Sequence, residues 1–127
     1  MEKIMLYCAH AIFYFELLSH DQDSYLVHEN VYLIEAEDAH QAAKVAAEIG
    51  KDNEDASEDG HLELNEQKAA YLFAGIRKII EVEPSPVPPS ASGLIGLELS
   101  YSEFEVDSLD QVRALARGDM VEVLYRE

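Results

Sequence analysis

The feature that most constrains the fold is an alternation of side chains near the start of the chain. Every second residue from Tyr7 to Leu17 is apolar, and polar residues such as His10 and Glu16 fall between them. Such a period of two is typical of a β-strand with one face on a core. A second apolar segment, residues 25–35, follows a polar turn. The two segments therefore predict a β-hairpin.

Two later segments carry the signals of helices. Asp38 and Ser108 are each followed three residues later by a glutamine, as in a capping box, and an apolar stripe at helical spacing comes next. The first stripe consists mostly of alanine, which allows close packing against a sheet. Gly50 and Gly118 are expected to end the two helices, because glycine favours the position after a helix C-terminus.

The remaining elements are predicted as strands. Residues 69–83 fit a strand and a helix almost equally, and their β-branched residues favour the strand. Apolar residues change phase within residues 96–106, which predicts a bulge near Ser102 and Glu103. The expected class is α+β, with order β-β-α-β-β-β-α-β, a mainly antiparallel sheet, and both helices packed on one face.

Length and proline placement bear on the domain organisation. The chain has 127 residues, which suits a single domain spanning residues 1–127. All four prolines fall within residues 83–92. Proline cannot donate a backbone hydrogen bond to a sheet, so this segment is expected to be a loop within that domain.

The charge balance limits the classes of partner. The chain has 26 acidic residues against 9 Lys and Arg, a formal net charge of −17. This charge disfavours nucleic acids and anionic membranes, which bind through Lys and Arg, and it favours a basic protein partner. The single cysteine, Cys8, fits a reducing cytoplasm. No phosphate-binding glycine loop or zinc-ligand spacing occurs, so no cofactor is expected.

A family resemblance comes from the middle of the chain. Residues 31–47 read VYLIEAEDAHQAAKVAA, a strand that enters an alanine-rich helix, and an Asp59-Gly60 turn precedes the strand YLFAGI at residues 71–76. Over about residues 7–83 the chain resembles a bacterial family of small proteins known only as a domain of unknown function. The resemblance implies an α+β fold and no particular activity.

One acidic segment has the spacing of a calcium-binding loop. Asp55, Ser57, Asp59 and Glu66 stand where an EF-hand loop has oxygen ligands, and Gly60 stands at its sharp turn. The expected helix ends too early to flank such a loop, and no second hand follows. A calcium site competes here with a solvated acidic turn.

A second group of polar residues could form a site on the sheet. His10, Tyr14 and Glu16 alternate with the core residues of the first strand, and Arg77 of a later strand would join them if it faced the same way. Such a group has the residue types for acid–base chemistry or for a small ligand. The competing interpretation is an ordinary solvated sheet face, and His28 is a further candidate.

The sequence thus favours a non-catalytic interaction module that binds a basic partner, in the manner of an immunity or regulatory protein. The alternatives are the calcium module of residues 55–66 and a small-ligand or enzyme site on the His10 strand. A homodimer is also expected if an apolar patch forms on one face of the sheet. Four aromatic residues could form that patch: Tyr14, Tyr32, Tyr71 and Phe73.

Overall fold

The computed structural model describes residues 4–18, 21–55, 62–64, 67–82 and 93–126. Within these ranges the elements are β1 Met5–Leu17, β2 Tyr25–Ala36, α1 Ala39–Asp52, β3 Leu62–Leu64, β4 Gln67–Glu81, β5 Glu98–Val106, α2 Leu109–Ala116 and β6 Leu124–Arg126. The strands form one sheet in the order β3-β4-β1-β2-β5-β6. The proline-rich segment, residues 83–92, lies outside the described residues.

The expected fold class and element order are confirmed. Strands β1 and β2 form the predicted hairpin, with Tyr7 opposite Ile34 and Tyr14 opposite Val27. Every described strand pair is antiparallel. Residues 69–83, which fitted both a strand and a helix, belong mostly to β4. Neither helix among the described residues is long and apolar enough to cross a membrane.

The two helices lie on opposite faces of the sheet, so the expectation that both pack on one face is wrong. On β1, Ala11 and Phe13 pack in a core with α1, whereas Ile12 packs in a second core with Val112 and Leu115 of α2. Successive residues of a strand point to opposite faces. Ile12 is an apolar residue between the alternating positions, and both faces of β1 are therefore buried and each needs a cover.

Strand β4 packs against both helices and contains two bulges. Its pairing with β1 skips one residue between Phe73 and Gly75 and another between Ile76 and Lys78. The extra residues are Ala74, which packs in the α2 core, and Arg77. A bulge re-aims side chains in this way, and the pattern of the sequence did not predict either one.

The expected bulge near Ser102 and Glu103 is also wrong. Pairing between β2 and β5 is continuous from Ser100 to Val106, and its one irregularity falls at Leu99. Tyr101 lies on the α1 face, whereas Phe104 and Val106 belong to the α2 core. The change of phase therefore reflects a sheet with apolar residues on both faces.

Both predicted N-caps are confirmed. Gln41 donates its backbone N–H to Asp38 Oδ1 at 2.8 Å, and Gln111 donates its backbone N–H to Ser108 Oγ at 3.2 Å. Gly118 follows α2 with a φ of +86°, as a helix-terminating glycine does.

Gly50 does not end α1, contrary to expectation. The helix continues to Asp52, and Gly50 is buried within it. A Cβ atom at this position would lie 2.5 Å from the ring of Phe73. The glycine is therefore explained by the close approach of α1 to β4.

Candidate functional site

The predicted polar group is only partly assembled. His10 Nδ1 lies 2.8 Å from Glu29 Oε2, and Arg77 Nε lies 3.9 Å from Glu29 Oε1. Glu29, a residue that the sequence did not suggest, therefore joins His10 to Arg77. Arg77 Nη1 also donates to the carbonyl oxygens of Leu115 and Asp119, each at 3.0 Å. This group fixes the end of α2 on the sheet.

The other two members of the polar group lie further along β1. Tyr14 packs edge to face on Tyr25, with ring centroids 6.1 Å apart, beside the α2 core. Burial raises the pKa of the Tyr14 hydroxyl. Glu16 stands opposite Ala70 of β4. Neither residue is brought to the His10–Glu29 pair.

The predicted calcium loop lies largely outside the described residues. Asp55 is described, and its backbone exchanges two hydrogen bonds with the backbone of Tyr71, at 2.9 and 2.7 Å. Ser57, Asp59 and Glu66 are outside the described ranges. Across the described ranges, no three metal-ligating side chains come together. Calcium binding by residues 55–66 stays a prediction.

The α1 face carries a cluster of rings beyond the end of the helix. We call Phe15, His28, Tyr71 and Tyr101 the aromatic cluster. The His28 ring lies 5.2 Å from that of Phe15 and 5.5 Å from those of Tyr71 and Tyr101. Tyr101 is 59% exposed. The cluster therefore extends from the core to the surface of β5.

A chain of hydrogen bonds runs through this cluster. The Tyr71 hydroxyl lies 3.2 Å from His28 Nδ1 and accepts a hydrogen bond from Asn30 Nδ2 at 3.1 Å. Burial raises the pKa of Tyr71, and the hydrogen bond from Asn30 opposes that effect. The tyrosine therefore stays neutral, and its hydroxyl accepts from Asn30 while it lies within hydrogen-bond distance of His28.

Two glutamates of β5 stand close to this chain. Glu103 Oε1 lies 3.9 Å from His28 Nε2. Burial lowers the pKa of His28, although Glu103 and Glu98 act in the opposite direction. His28 is therefore neutral at pH 7, because its ordinary pKa of 6.5 is already below that value.

Asn30 opens onto a cleft of about 470 Å³, which we call the Asn30 cleft. Its lining residues come from β2, the end of α1, β4 and the start of β5: Asn30, Tyr32, Asn53, Tyr71, Gly96, Leu97 and Glu98. Tyr32 accepts a hydrogen bond at its hydroxyl from Asn53 Nδ2 at 2.9 Å. Gly96 donates its N–H to the carbonyl of Leu33, which holds the start of β5 beside β2.

Sequence reasoning missed most of this site. His28 was a candidate, but Asn30, Tyr71, Glu98 and Glu103 were not assigned to it. One signal was present, because Asn30 is in phase with Tyr32 and Ile34 on the buried face of β2. A polar residue at a buried strand position needs a hydrogen-bond partner, and it marks a site to inspect.

The comparison with known families agrees with the resemblance seen in the sequence. Residues 6–87, well over half of the chain, match the family described as a domain of unknown function, DUF4288. The chain belongs to that family. No curated protein and no solved structure matches it. The match spans β1, β2, α1, β3 and β4, and β5, α2 and β6 follow it.

Proposed function

We propose that this chain is a non-catalytic interaction module that binds a basic segment of a partner protein along β5. The observation that carries the proposal is a row of side chains on the α1 face of this strand. In order along the strand, the row consists of Glu98, Tyr101, Glu103 and Glu105. Three carboxylates flank one exposed aromatic ring, and cationic peptides are attracted by such a combination.

Among the described residues, the charges of the row are only partly compensated. Glu105 pairs with Arg126, and Glu103 stands near His28, which is neutral at pH 7. Glu98 forms no ion pair with any described residue. A cationic partner would relieve the repulsion among these carboxylates. The net charge of −17 would also speed its approach.

Apolar surface around the row supports a protein partner over a free ion. Leu97 and Leu99 are half-exposed at the start of β5, and the ring of Tyr101 within the row is also exposed. Exposed tyrosine and leucine beside a charged rim are typical of protein interfaces. Such side chains would gain from being covered by the apolar stems of arginine or lysine.

The backbone of β5 offers a second means of contact. Strand β6 pairs only with Glu103–Glu105. In the described part of the chain, the outer edge of residues 98–102 has no paired strand. An extended segment could add to such an edge through backbone hydrogen bonds, while its side chains select the carboxylates.

The proposal is tested with a peptide of alternating arginine and serine, titrated into ¹⁵N-labelled protein at low and at physiological salt. We expect amide shifts concentrated in β5 and an affinity that falls steeply as salt rises. The double variant Glu98→Gln/Glu103→Gln should bind much more weakly. The matched control is Glu35→Gln/Glu81→Gln, which removes the same charge from exposed sites on β2 and β4.

Two results of this titration would overturn the proposal. One is equal weakening by the two double variants, because net charge alone would then account for binding. The other is a set of amide shifts spread over the whole surface with no concentration at β5. A tighter complex with an acidic peptide of the same length would have the same meaning.

A further inference from the structure

The carbonyl oxygen of the Asn30 side chain has no hydrogen-bond partner among the described atoms, although Asn30 is only 4% exposed. Buried polar atoms in native proteins are nearly always paired, and an exception needs an explanation. Asn30 lines the cleft. A ligand that donates a hydrogen bond there would supply the missing partner.

The direction of the hydrogen-bond chain decides what kind of ligand fits. Glu103 can only accept, so it favours a proton on the facing His28 Nε2. Neutral His28 then accepts at Nδ1 from the Tyr71 hydroxyl, and Tyr71 in turn accepts from Asn30 Nδ2. The Tyr71 hydroxyl and one N–H of Asn30 are thus used as donors within the chain. What remains at its end is an acceptor, Asn30 Oδ1.

A second acceptor in the cleft carries a charge. Glu98 lines the same cleft and forms no ion pair with a described residue. Tyr32 and Tyr71 contribute rings to the lining. The cleft thus combines the neutral acceptor of Asn30, the carboxylate of Glu98 and two aromatic rings. This combination suits a planar cation with several N–H donors.

We infer that the Asn30 cleft binds the guanidinium group of one arginine side chain. This inference rests on the proposed function, because the arginine belongs to the basic segment that binds along β5. Guanidinium is flat, stays charged, stacks on tyrosine rings, and presents donors in more than one direction. It can therefore reach Asn30 Oδ1 and the Glu98 carboxylate at once, whereas an ammonium group offers a single point of charge.

The residues that line the cleft come from two parts of the sequence. Asn30, Tyr32, Asn53 and Tyr71 lie within the residues that match the family, and Glu98 lies beyond them. The start of β5 is held in place by Gly96, which has a φ of +84° and donates to Leu33. The family-matched part thus supplies the aromatic and amide floor, and the later segment supplies the charge.

The experiment uses three pentapeptides. Glycine and serine residues flank a central residue, which is arginine, citrulline or lysine. Citrulline keeps the shape and most donors of arginine but has no charge. We expect the arginine peptide to bind roughly tenfold more tightly than the citrulline peptide, as for a charge-assisted contact. It should also bind several-fold more tightly than the lysine peptide.

Two further measurements place the ligand in the cleft. Glu98→Gln should remove most of the preference for arginine over citrulline, and the matched control Glu122→Gln should keep it. The side-chain amide resonance of Asn30 should shift on binding of the arginine peptide. That signal reports on Asn30 in the unaltered protein, so it does not depend on whether an Asn30 variant folds.

The outcomes separate this inference from the proposed function. The arginine peptide could bind at β5 with no preference over the citrulline peptide, or with no shift of the Asn30 side-chain amide. Either result would overturn the inference but not the proposed interaction surface. No binding of any peptide, together with no binding of the longer arginine–serine peptide, would overturn both.

Discussion

The Nδ1 atom of His28 lies 3.2 Å from the hydroxyl oxygen of Tyr71, although the two residues are 43 positions apart in the chain. They stand on β2 and β4, which flank β1, so the contact crosses the central strand of the sheet. It exists because Phe15 of β1 packs against both rings, with centroid distances of 5.2 and 4.9 Å. The contact joins the aromatic cluster to the Asn30 cleft.

The first prediction concerns the Tyr71 hydroxyl. Tyr71→Phe leaves the ring in place but removes the group that bridges His28 and Asn30. The buried Asn30 amide then loses its described partner, which should lower the free energy of unfolding by about 1–3 kcal/mol. Urea denaturation measures the change.

The matched control is Tyr101→Phe. Tyr101 is 59% exposed, so loss of its hydroxyl should change the free energy of unfolding by less than about 0.5 kcal/mol. Equal effects of the two substitutions would mean that the bridge contributes nothing to stability.

The second prediction concerns pH. Burial lowers the pKa of His28 in the folded protein below its ordinary value of 6.5. Between the folded and the unfolded pKa, the unfolded chain binds more protons than the native protein. The contribution of His28 to stability is therefore complete above about pH 6.5 and is lost as the pH falls through the folded pKa.

A comparison of wild type with His28→Gln isolates this effect, because all other titrating groups are shared. The difference in free energy of unfolding should shrink from pH 7.5 to pH 5. An NMR titration of the His28 ring should give a pKa below 6.5. A value above 6.5 would mean that Glu103 and Glu98 outweigh burial, and the stability difference would then grow on acidification.

The fold followed closely from local patterns in the sequence. Local signals predicted the right elements: the alternation from Tyr7 onward, the caps at Asp38 and Ser108, and Gly118 after the second helix. These signals did not predict on which face of the sheet each helix packs. Ile12 packs with α2. The period-two pattern predicts one buried face of β1, and Ile12 lies on the opposite face, where the pattern predicts polar residues.

The site was harder to predict than the fold because it depends on register. His28, Asn30 and Tyr71 converge through the pairing of β2, β1 and β4, which includes two bulges. A shift of one residue would send these side chains to the other face. Nothing local in the sequence fixes the bulges at Ala74 and Arg77. The four aromatic residues named for an apolar patch do not share a face for the same reason, since Tyr14 lies opposite to Tyr32, Tyr71 and Phe73. A homodimer stays a prediction.

The third prediction concerns Gly50. Alanine in place of a helical glycine ordinarily stabilises by about 0.5–1 kcal/mol. Here the new Cβ would lie 2.5 Å from the Phe73 ring, which itself packs on Phe13. Gly50→Ala should therefore lower the free energy of unfolding by about 1–3 kcal/mol, as overpacking of a core does.

A double-mutant cycle with Phe73→Leu tests the cause of that loss. In the Phe73→Leu background, Gly50→Ala should be neutral or stabilising. The coupling energy between the two substitutions should therefore be opposite in sign to the effect of Gly50→Ala alone. If the alanine costs the same in both backgrounds, the glycine is needed for another reason than the approach of α1 to β4.

The last prediction concerns the attachment of α2 to the sheet through Arg77. Its guanidinium donates to the carbonyl oxygens of Leu115 and Asp119 and faces Glu29, which also binds His10. Arg77→Leu removes these contacts and leaves the partly buried Glu29 with His10 as its one ion-pair partner among the described residues. We expect the free energy of unfolding to fall by about 1.5–3 kcal/mol, as for hydrogen bonds to a charged group.

Hydrogen exchange separates local release of α2 from general loss of stability. In Arg77→Leu the amides of α2 should exchange faster relative to those of α1, which packs on the other face. Arg77→Lys should recover only part of the loss, because an ammonium group cannot reproduce the spread of the guanidinium donors. The neighbouring exposed residue gives the control, Lys78→Gln, which should leave both helices unchanged. Uniform acceleration across α1 and α2 would show that Arg77 has no particular role in holding α2.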